Sequence, residues 1–271
     1  MTRYAHLFAA PPSDGVVVPF LMLGDPDAAT TLAAARALVR AGADALELGI
    51  PFSDPVADGP VIQRASARAI AAGATPDRCF EMIRELRLES PELPLGLLLY
   101  ANTVAVRGLP AFFRSAAAAG ADSVLVADVP AVEAAPFAAA AREAGIEPVA
   151  VVPPTAGPDL IARIAASGGP FVYLQGRPGV TGVTVPMRSP DPALVAALAK
   201  AGAPPALVGF GVSERAHLEA ALAAGTRGVI VGSVVVRTIE RNAARLESLD
   251  AELGGLMMRI RGAVDASAAA R

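Results

Sequence analysis

Three carboxylates crowd one short stretch, ELGIPFSDPVADGP, residues 47 to 60. Glu47 stands near the end of an apolar run, Ala43 to Ile50, that reads as a β-strand; Asp54 and Asp58 follow in a proline-punctuated loop. A strand alternates its faces, so Leu46, Leu48 and Ile50 share one side and Ala45, Glu47 and Gly49 the other. A carboxyl held on an apolar wall loses its water, and that loss raises its pKa toward neutrality. Such a group can give and take a proton at pH 7, as a general acid or base must. The bland alternatives are a structural glutamate paired with an arginine and, for Asp58, an ordinary exposed loop acid.

Two glycine-bounded segments point to a second kind of chemistry. GFG (Gly209–Gly211) and VGS (Val231–Ser233) each follow an apolar run late in the chain. Gly211 and Gly232 let backbone amides come close to an anion, and Ser213 and Ser233 can cap helices or donate to a phosphate oxygen. Each turn is weak evidence alone; together they suggest a phosphate monoester. RPGVTG (Arg177–Gly182) adds a glycine-rich loop with one hydroxyl, Thr181, and reads equally well as plain surface.

These groups need a scaffold that gathers strand ends. Ala-rich helical patterns end repeatedly in a small residue plus glycine, as at Ala41-Gly42, Ala119-Gly120, Ala144-Gly145, Ser167-Gly168, Ala201-Gly202 and Ala224-Gly225. Eight apolar runs emerge: Val16–Leu23, Ala43–Ile50, Leu95–Tyr100, Asp122–Ala127, Glu147–Val152, Pro170–Gln175, Pro205–Phe210 and Arg227–Val231. Between them lie helical patterns at Ala28–Arg40, Val61–Ala72 with Asp77–Glu89, Leu109–Ala118, Val132–Ala144, Pro158–Ala166, Pro192–Lys200, Ser213–Ala223 and Val235–Ala266. Alternating strands and helices imply parallel pairing. Eight units in a chain of this length match an α/β fold, a (β/α)8 TIM barrel with extra helices that takes in residues 1–271 as a single domain. An open doubly wound sheet is the alternative, and no dinucleotide fingerprint supports it. In a barrel the site lies where the strands end. The longest loops there, Pro51–Pro60 and Gly176–Pro190, have the length of lids.

Composition removes several classes. The chain has 271 residues, 54% of them hydrophobic, and a net charge of −3 without blocks of like charge, so nucleic acid is not an expected partner. Apolar runs such as Leu95–Ala101 are too short to span a bilayer, and the opening MTRYAHLFAAPPSDG lacks the apolar core of a signal peptide; membrane is not expected and cytoplasm is the default. Cys79 is the only cysteine, His6 and His217 the only histidines and Lys200 the only lysine. A His-based triad or a His-cluster metal site therefore lacks material, no metal is expected, and a Schiff base would have to use Lys200.

In order along the chain, RYAHLFAA (3–10), AGADALELGIPFSDPVADGP (41–60), LLLYAN (97–102), DSVLVADVP (122–130), GVTG (179–182), GFGVS (209–213) and GSVVV (232–236) resemble the tryptophan synthase α-subunit family. The resemblance runs from Arg3 to about Ile239. It implies a lyase of tryptophan biosynthesis that splits indole-3-glycerol phosphate into indole and glyceraldehyde 3-phosphate by a retro-aldol reaction. It implies Glu47 as the catalytic glutamate, Asp58 as the second acid, Tyr173 as an active-site tyrosine and Thr181 as the loop threonine. The phosphate binders it implies are Gly182, Gly211, Gly232 and Ser233. The indole pocket it implies is Phe20, Ile62, Leu98, Tyr100, Ala127, Phe210 and Ile230. No cofactor is expected in this chain; the family passes indole to a β-subunit, which carries pyridoxal phosphate, in an α2β2 heterotetramer. Asp58 and Thr181, on the two long loops, are expected to act as a coupled pair. Pro178 stands where the family commonly has a serine. A stand-alone lyase that releases free indole, a subunit that activates without catalysing, and an unrelated phosphate-sugar isomerase remain as alternatives, the last short of the His, Lys or metal ligands it would need.

Overall fold

In the computed structural model, residues 1–175, 189–209, 211–243 and 245–262 are described. The apolar runs form parallel strands: β1 (Val16–Met22), β2 (Leu46–Gly49), β3 (Leu95–Leu99), β4 (Ser123–Val126), β5 (Glu147–Pro148), β6 (Ala150–Val152), β7 (Val172–Gln175), β8 (Ala206–Gly209) and β9 (Gly228–Val231). Their order is β5-β4-β3-β2-β1-β9-β8-β7-β6. The two ends of that order, β5 and β6, are separated along the chain only by Val149, so the sheet curls into a nearly closed barrel of eight staves. The run expected as one strand, Glu147–Val152, is broken because Pro148 has no N–H to give the ladder. Val149 still donates to the Val124 carbonyl at 2.8 Å and carries the stave across the break.

The helices are α1 (Arg3–Ala9), α2 (Ala28–Arg40), α3 (Pro60–Ala71), α4 (Pro76–Glu89), α5 (Ala101–Ala105), α6 (Leu109–Ala119), α7 (Ala135–Glu143), α8 (Pro158–Ser167), α9 (Pro192–Lys200), α10 (Arg215–Ala223), α11 (Ser233–Asn242) and α12 (Leu246–Arg261). Their starts follow local chemistry: Asp27, Thr75 and Asp191 accept the free amides of Thr30, Arg78 and Ala193, and proline occupies the first turn of α3, α4, α8 and α9. The helix expected over Val235–Ala266 is two helices. Asn242 ends the first: its amide donates to the Thr238 carbonyl and its oxygen accepts from Ser248, bonds that compete with continued helix. The helix expected from Val132 begins at Ala135 because a turn, closed by Glu133 N–H on the Pro130 carbonyl, precedes it. Among the described residues no helix is long and apolar enough to cross a membrane.

Strand alternation divides the core into two layers. Leu46, Leu48 and Ile50 pack with Leu21, Leu38, Phe80 and Phe112 between strands and helices, while Ala45 faces inward with Val16, Val18, Leu125, Tyr173, Leu207 and Ile230. Helix α1 plugs the N-terminal end of the barrel: Tyr4 is buried, and its ring lies 5.6 Å from that of Phe171. Ion pairs bolt the same end. Arg87 binds Asp122 at 2.5 Å and four carbonyls, and Arg261 ties α12 to Asp14 and to Asp44, which also accepts the Val17 amide. The floor is thus built for stability, and the opposite rim, where the strands end, is left for chemistry.

Closure between β1 and β9 is tight. Gly228 pairs with Val16, and a side chain on it would be driven into the Val16 backbone. Gly228→Ala is expected to cost roughly 1–3 kcal/mol by overpacking, lowering the melting temperature by several degrees. Gly254→Ala in α12, where no described residue lies within 4 Å of the new carbon and φ is not positive, is the control and should be neutral or slightly stabilising. Differential scanning calorimetry on the two variants checks the ranking.

Candidate active site

Glu47 lies on the inner face of β2, 5% exposed, between Phe20 of β1 and Gly96 of β3 in the strand register. No arginine or lysine among the described residues pairs with it. Burial pushes its carboxyl up to about 8, and the negative charge of Asp58 pushes in the same direction. At neutral pH Glu47 is mostly a neutral acid.

Asp58 comes from the loop after β2 and is itself 5% exposed. Burial raises it to about 6, and a hydrogen bond from Tyr100 opposes the rise. The Tyr100 hydroxyl donates to Asp58 Oδ2 at 2.9 Å and accepts the Ala57 amide at 3.1 Å. Phe52 stacks on Tyr100 with centroids 5.3 Å apart, and Ser66 of α3 holds Phe52 by bonding both its amide and its carbonyl. Gln63 of α3 donates to the Asp58 carbonyl at 2.9 Å. One loop acid is therefore fixed by β3, α3 and its own loop.

Tyr173 on β7 completes the wall. It is buried, and the charges of Glu47 and Asp58 add to burial in raising its hydroxyl well above the usual range. Its ring lies across Gly209 of β8, where a side chain would occupy the same space. A narrow cavity is lined by Asp58, Leu98, Leu125, Ala127, Val151 and Tyr173 among others. Phe20, Ile62 and Leu98 pack in one apolar cluster, and Leu98 also touches a second that holds Ala127, Tyr173 and Ile230.

At the rim, β9 runs through Gly232 straight into α11, whose first residue is Ser233. Gly232 is the N-cap, and among the described residues no side chain caps the first amides of the helix, so these donors and the positive end of the helix dipole face an anion well. A carbon added to Gly232 would meet only Phe20 Cβ, at 3.8 Å. Among the described residues no contact demands glycine there. Gly211 differs: its φ of +78° already favours glycine. Ser213, considered as a phosphate donor, gives its backbone amide to His217 Nδ1 at 3.2 Å.

The structure brings Glu47, Asp58, Tyr100 and Tyr173 together, with Phe20, Ile62, Leu98, Ala127 and Ile230 around them. Thr181, Gly182 and Phe210, together with Arg177 and Pro178, lie outside the described residues. Sequence reasoning missed Phe52, Ser66 and Gln63 as supports of the acid loop, and Leu125 and Val151 as cavity walls. Strand alternation could have found Leu125 and Val151, which share inward faces with Ala127 and Val149. Nothing local signals that Ser66, on a helix, reaches back to Phe52.

The family model described as Tryptophan synthase alpha chain matches residues 9–263. A tryptophan synthase alpha chain from Shewanella amazonensis is 52% identical over 242 residues, covering 89% of this chain and 91% of that protein. One from Yersinia pestis is 51% identical over 247 residues, covering 90% and 92%. Among solved structures, the tryptophan synthase complex from Pyrococcus furiosus superposes with a TM-score of 0.80 at 34% identity, over 92% of this chain and 98% of that one. Mycobacterium tuberculosis tryptophan synthase gives 0.82 at 30%, over 94% and 98%.

The raised Glu47 pKa has a consequence for stability. The folded chain holds that proton more tightly than the unfolded chain, where the value is 4.5. The stabilisation is fully present below 4.5 and is lost as pH rises through about 8, at up to about 1.4 kcal/mol per pH unit. Glu47→Gln removes the titration. Its melting temperature relative to the wild type should therefore climb between pH 5 and pH 9; a constant difference across that range would mean that Glu47 titrates normally.

Proposed function

The chain belongs to the tryptophan synthase alpha chain family, and on that premise we propose that Glu47 and Asp58 drive its reaction as a separated acid and base pair. The reaction is the retro-aldol cleavage of indole-3-glycerol phosphate to indole and glyceraldehyde 3-phosphate, a step of tryptophan biosynthesis. One observation carries the assignment of residues: two buried carboxyls close enough for one to feel the charge of the other have been pushed to different values, about 8 for Glu47 and about 6 for Asp58. Between those values the first is an acid and the second an anion.

The chemistry needs both forms. Glu47 donates a proton to indole C3, and the ring becomes an indolenine cation. Asp58, ionised, accepts the ring N–H and stabilises the positive charge as it forms. The bond from C3 to the glycerol carbon then breaks, its electrons return to the ring, and Glu47 takes the proton from the neighbouring hydroxyl as the aldehyde forms. The glutamate ends as it began, so the proton balance closes. The indolenine is the electron sink, so the step calls for no metal and no Schiff base. We assign no cofactor to this chain; Lys200 stands in the last turn of α9. Tyr173 shapes the wall beside Glu47. Phe20, Ile62, Leu98, Tyr100, Ala127 and Ile230, with Phe210, enclose the indole ring. The substrate phosphate sits on Gly211, Gly232, Ser233 and Gly182, and the open start of α11 supports that placement.

The partner is the tryptophan synthase β-subunit in an α2β2 assembly, and pyridoxal phosphate belongs to that subunit; the related α2β2 complex of Pyrococcus furiosus shows mutual activation. Three apolar side chains are exposed around the rim: Val56 at 70%, Val106 at 84% and Val132 at 59%. They follow β2, β3 and β4, which are neighbours in the barrel, and so share one sector of the rim. That sector suits the docking of a partner. We further assign the whole chain to one barrel domain that works in the cytoplasm. The direct assay is indole release from indole-3-glycerol phosphate with and without a β-subunit. No indole under either condition would overturn the reading.

Glu47→Gln keeps the shape of the side chain but cannot shuttle a proton. Turnover should drop by at least roughly 10²–10⁴-fold while substrate binding survives. In the wild type, kcat/KM should rise as Asp58 ionises near pH 6 and fall as Glu47 ionises near pH 8. Gly232→Ala should raise KM roughly tenfold or more by crowding the amides that hold the phosphate, with the melting temperature unchanged. An unaltered KM would place the phosphate elsewhere.

A further inference from the structure

Tyr100 does two jobs at once. Its side chain serves Asp58, and its backbone is the N-cap of α5, which no side chain of its own caps. The first amide of α5, on Ala101, would then lack a partner within the helix. It is satisfied from the next stave: Asp128, just past β4, accepts the Ala101 N–H with Oδ1 at 2.7 Å. The two staves are already in register below this point, with Leu99 opposite Val126 and the Ala127 amide on the Leu99 carbonyl at 2.8 Å. Asp128 extends that register into the rim by one charge-assisted bond, which also favours the start of the helix.

We propose that Asp128 is a positioning residue for the reaction: an acceptor lent by the loop after β4 that fixes the start of α5, and with it the Tyr100 hydroxyl that orients Asp58. The proposal rests on the reading of Asp58 as the acid that holds the ring N–H. Asp128 does not line the cavity around Asp58; it lines an adjoining hollow that shares Ala127, Val151 and Gln175 with that cavity. It acts through the backbone at Tyr100 and Ala101, two bonds of known geometry from the carboxylate. The same loop carries Val132, and α5 is followed by Val106, both exposed at the rim. The tether therefore links the sector that faces a partner to the carboxylate in the cavity.

The titrating neighbours limit what else could move Asp58. Among the described residues, Tyr100 bonds it, and Glu47 and Tyr173 feel its charge; Tyr100 in turn feels the charges of Asp58 and Asp128. The Tyr100 bond holds Asp58 below the value that burial alone would give. A Tyr100 that drifts gives up that restraint, and the acid limb of the pH profile moves to higher pH.

The test measures kcat and KM from pH 5 to 9 for the full chain and for Asp128→Ala, Asp128→Asn and Tyr100→Phe. Asp128→Ala is expected to move the acid limb upward and to lower kcat at pH 7 roughly three- to tenfold, with KM little changed. Asp128→Asn retains an oxygen that accepts the Ala101 amide and should restore most of the profile. Tyr100→Phe should move the limb the same way. A profile for Asp128→Ala that superposes on the wild type, while Tyr100→Phe is displaced, overturns the role of Asp128 and leaves Asp58 as the second acid. If Tyr100→Phe does not displace the limb either, both the tether and the reading of Asp58 fall. Equal loss in the Asn and Ala variants would also defeat the proposal, since the acceptor would not be what matters.

Discussion

A carboxyl group buried on a barrel wall, with no cation paired to it among the described residues, is the constraint around which this molecule is organised. Placing Glu47 there costs free energy whenever it ionises, and the structure tolerates the cost by leaving the group protonated. Its neighbours in the strand register are the Phe20 ring on one side and Gly96 on the other, so one flank is apolar and the other is open. Where Gly96 leaves space, the hydroxyls of Tyr4 and Ser123 fill it from below. Water is kept from the floor side, and toward the strand ends the carboxyl feels Asp58 and Tyr173, which line the cavity.

The second carboxyl is treated in the opposite way. Asp58 is nearly as buried, yet it receives a hydrogen bond from a tyrosine that is itself held by stacking and by a backbone amide. A bond donated to the ionised form favours ionisation, so desolvation wins at Glu47 and is partly offset at Asp58. The separation of roles comes from where each group sits and what donates to it. The two ends of the barrel divide the work along the same lines. Arginine clusters secure the floor with full ion pairs, whereas hydrogen bonds from a tyrosine, a serine and a glutamine arrange the acid loop at the rim.

Much of this was legible in the sequence, because each signal was local. Period-two alternation put Glu47 opposite Leu46 and Leu48, and the layers follow it. Glycine after each helix and proline or a small polar residue before the next gave element boundaries to within a residue or two for α2, α6, α8 and α9. What the sequence concealed was tertiary. The Arg3–Ala9 helix has no apolar periodicity that sets it apart; it forms because Tyr4 finds a socket between Phe171 and Ser123. The break of the last helix depends on the Asn242 side chain meeting Ser248. At the site, Tyr100 could be placed in the pocket by resemblance, but its bond to Asp58 joins residues 42 positions apart and has no signature in either segment.

Every step above depends on Glu47 carrying its proton at neutral pH. The most direct measurement is infrared difference spectroscopy on carbon-13 glutamate-labelled protein, titrated from pH 5 to 10, with Glu47→Gln as the reference. One protonated carboxyl band should persist at pH 7, disappear with a midpoint near 8 and be absent from the variant. A Glu47 band already lost by pH 6 would contradict it, and the assignment of acid and base would have to be reversed or abandoned.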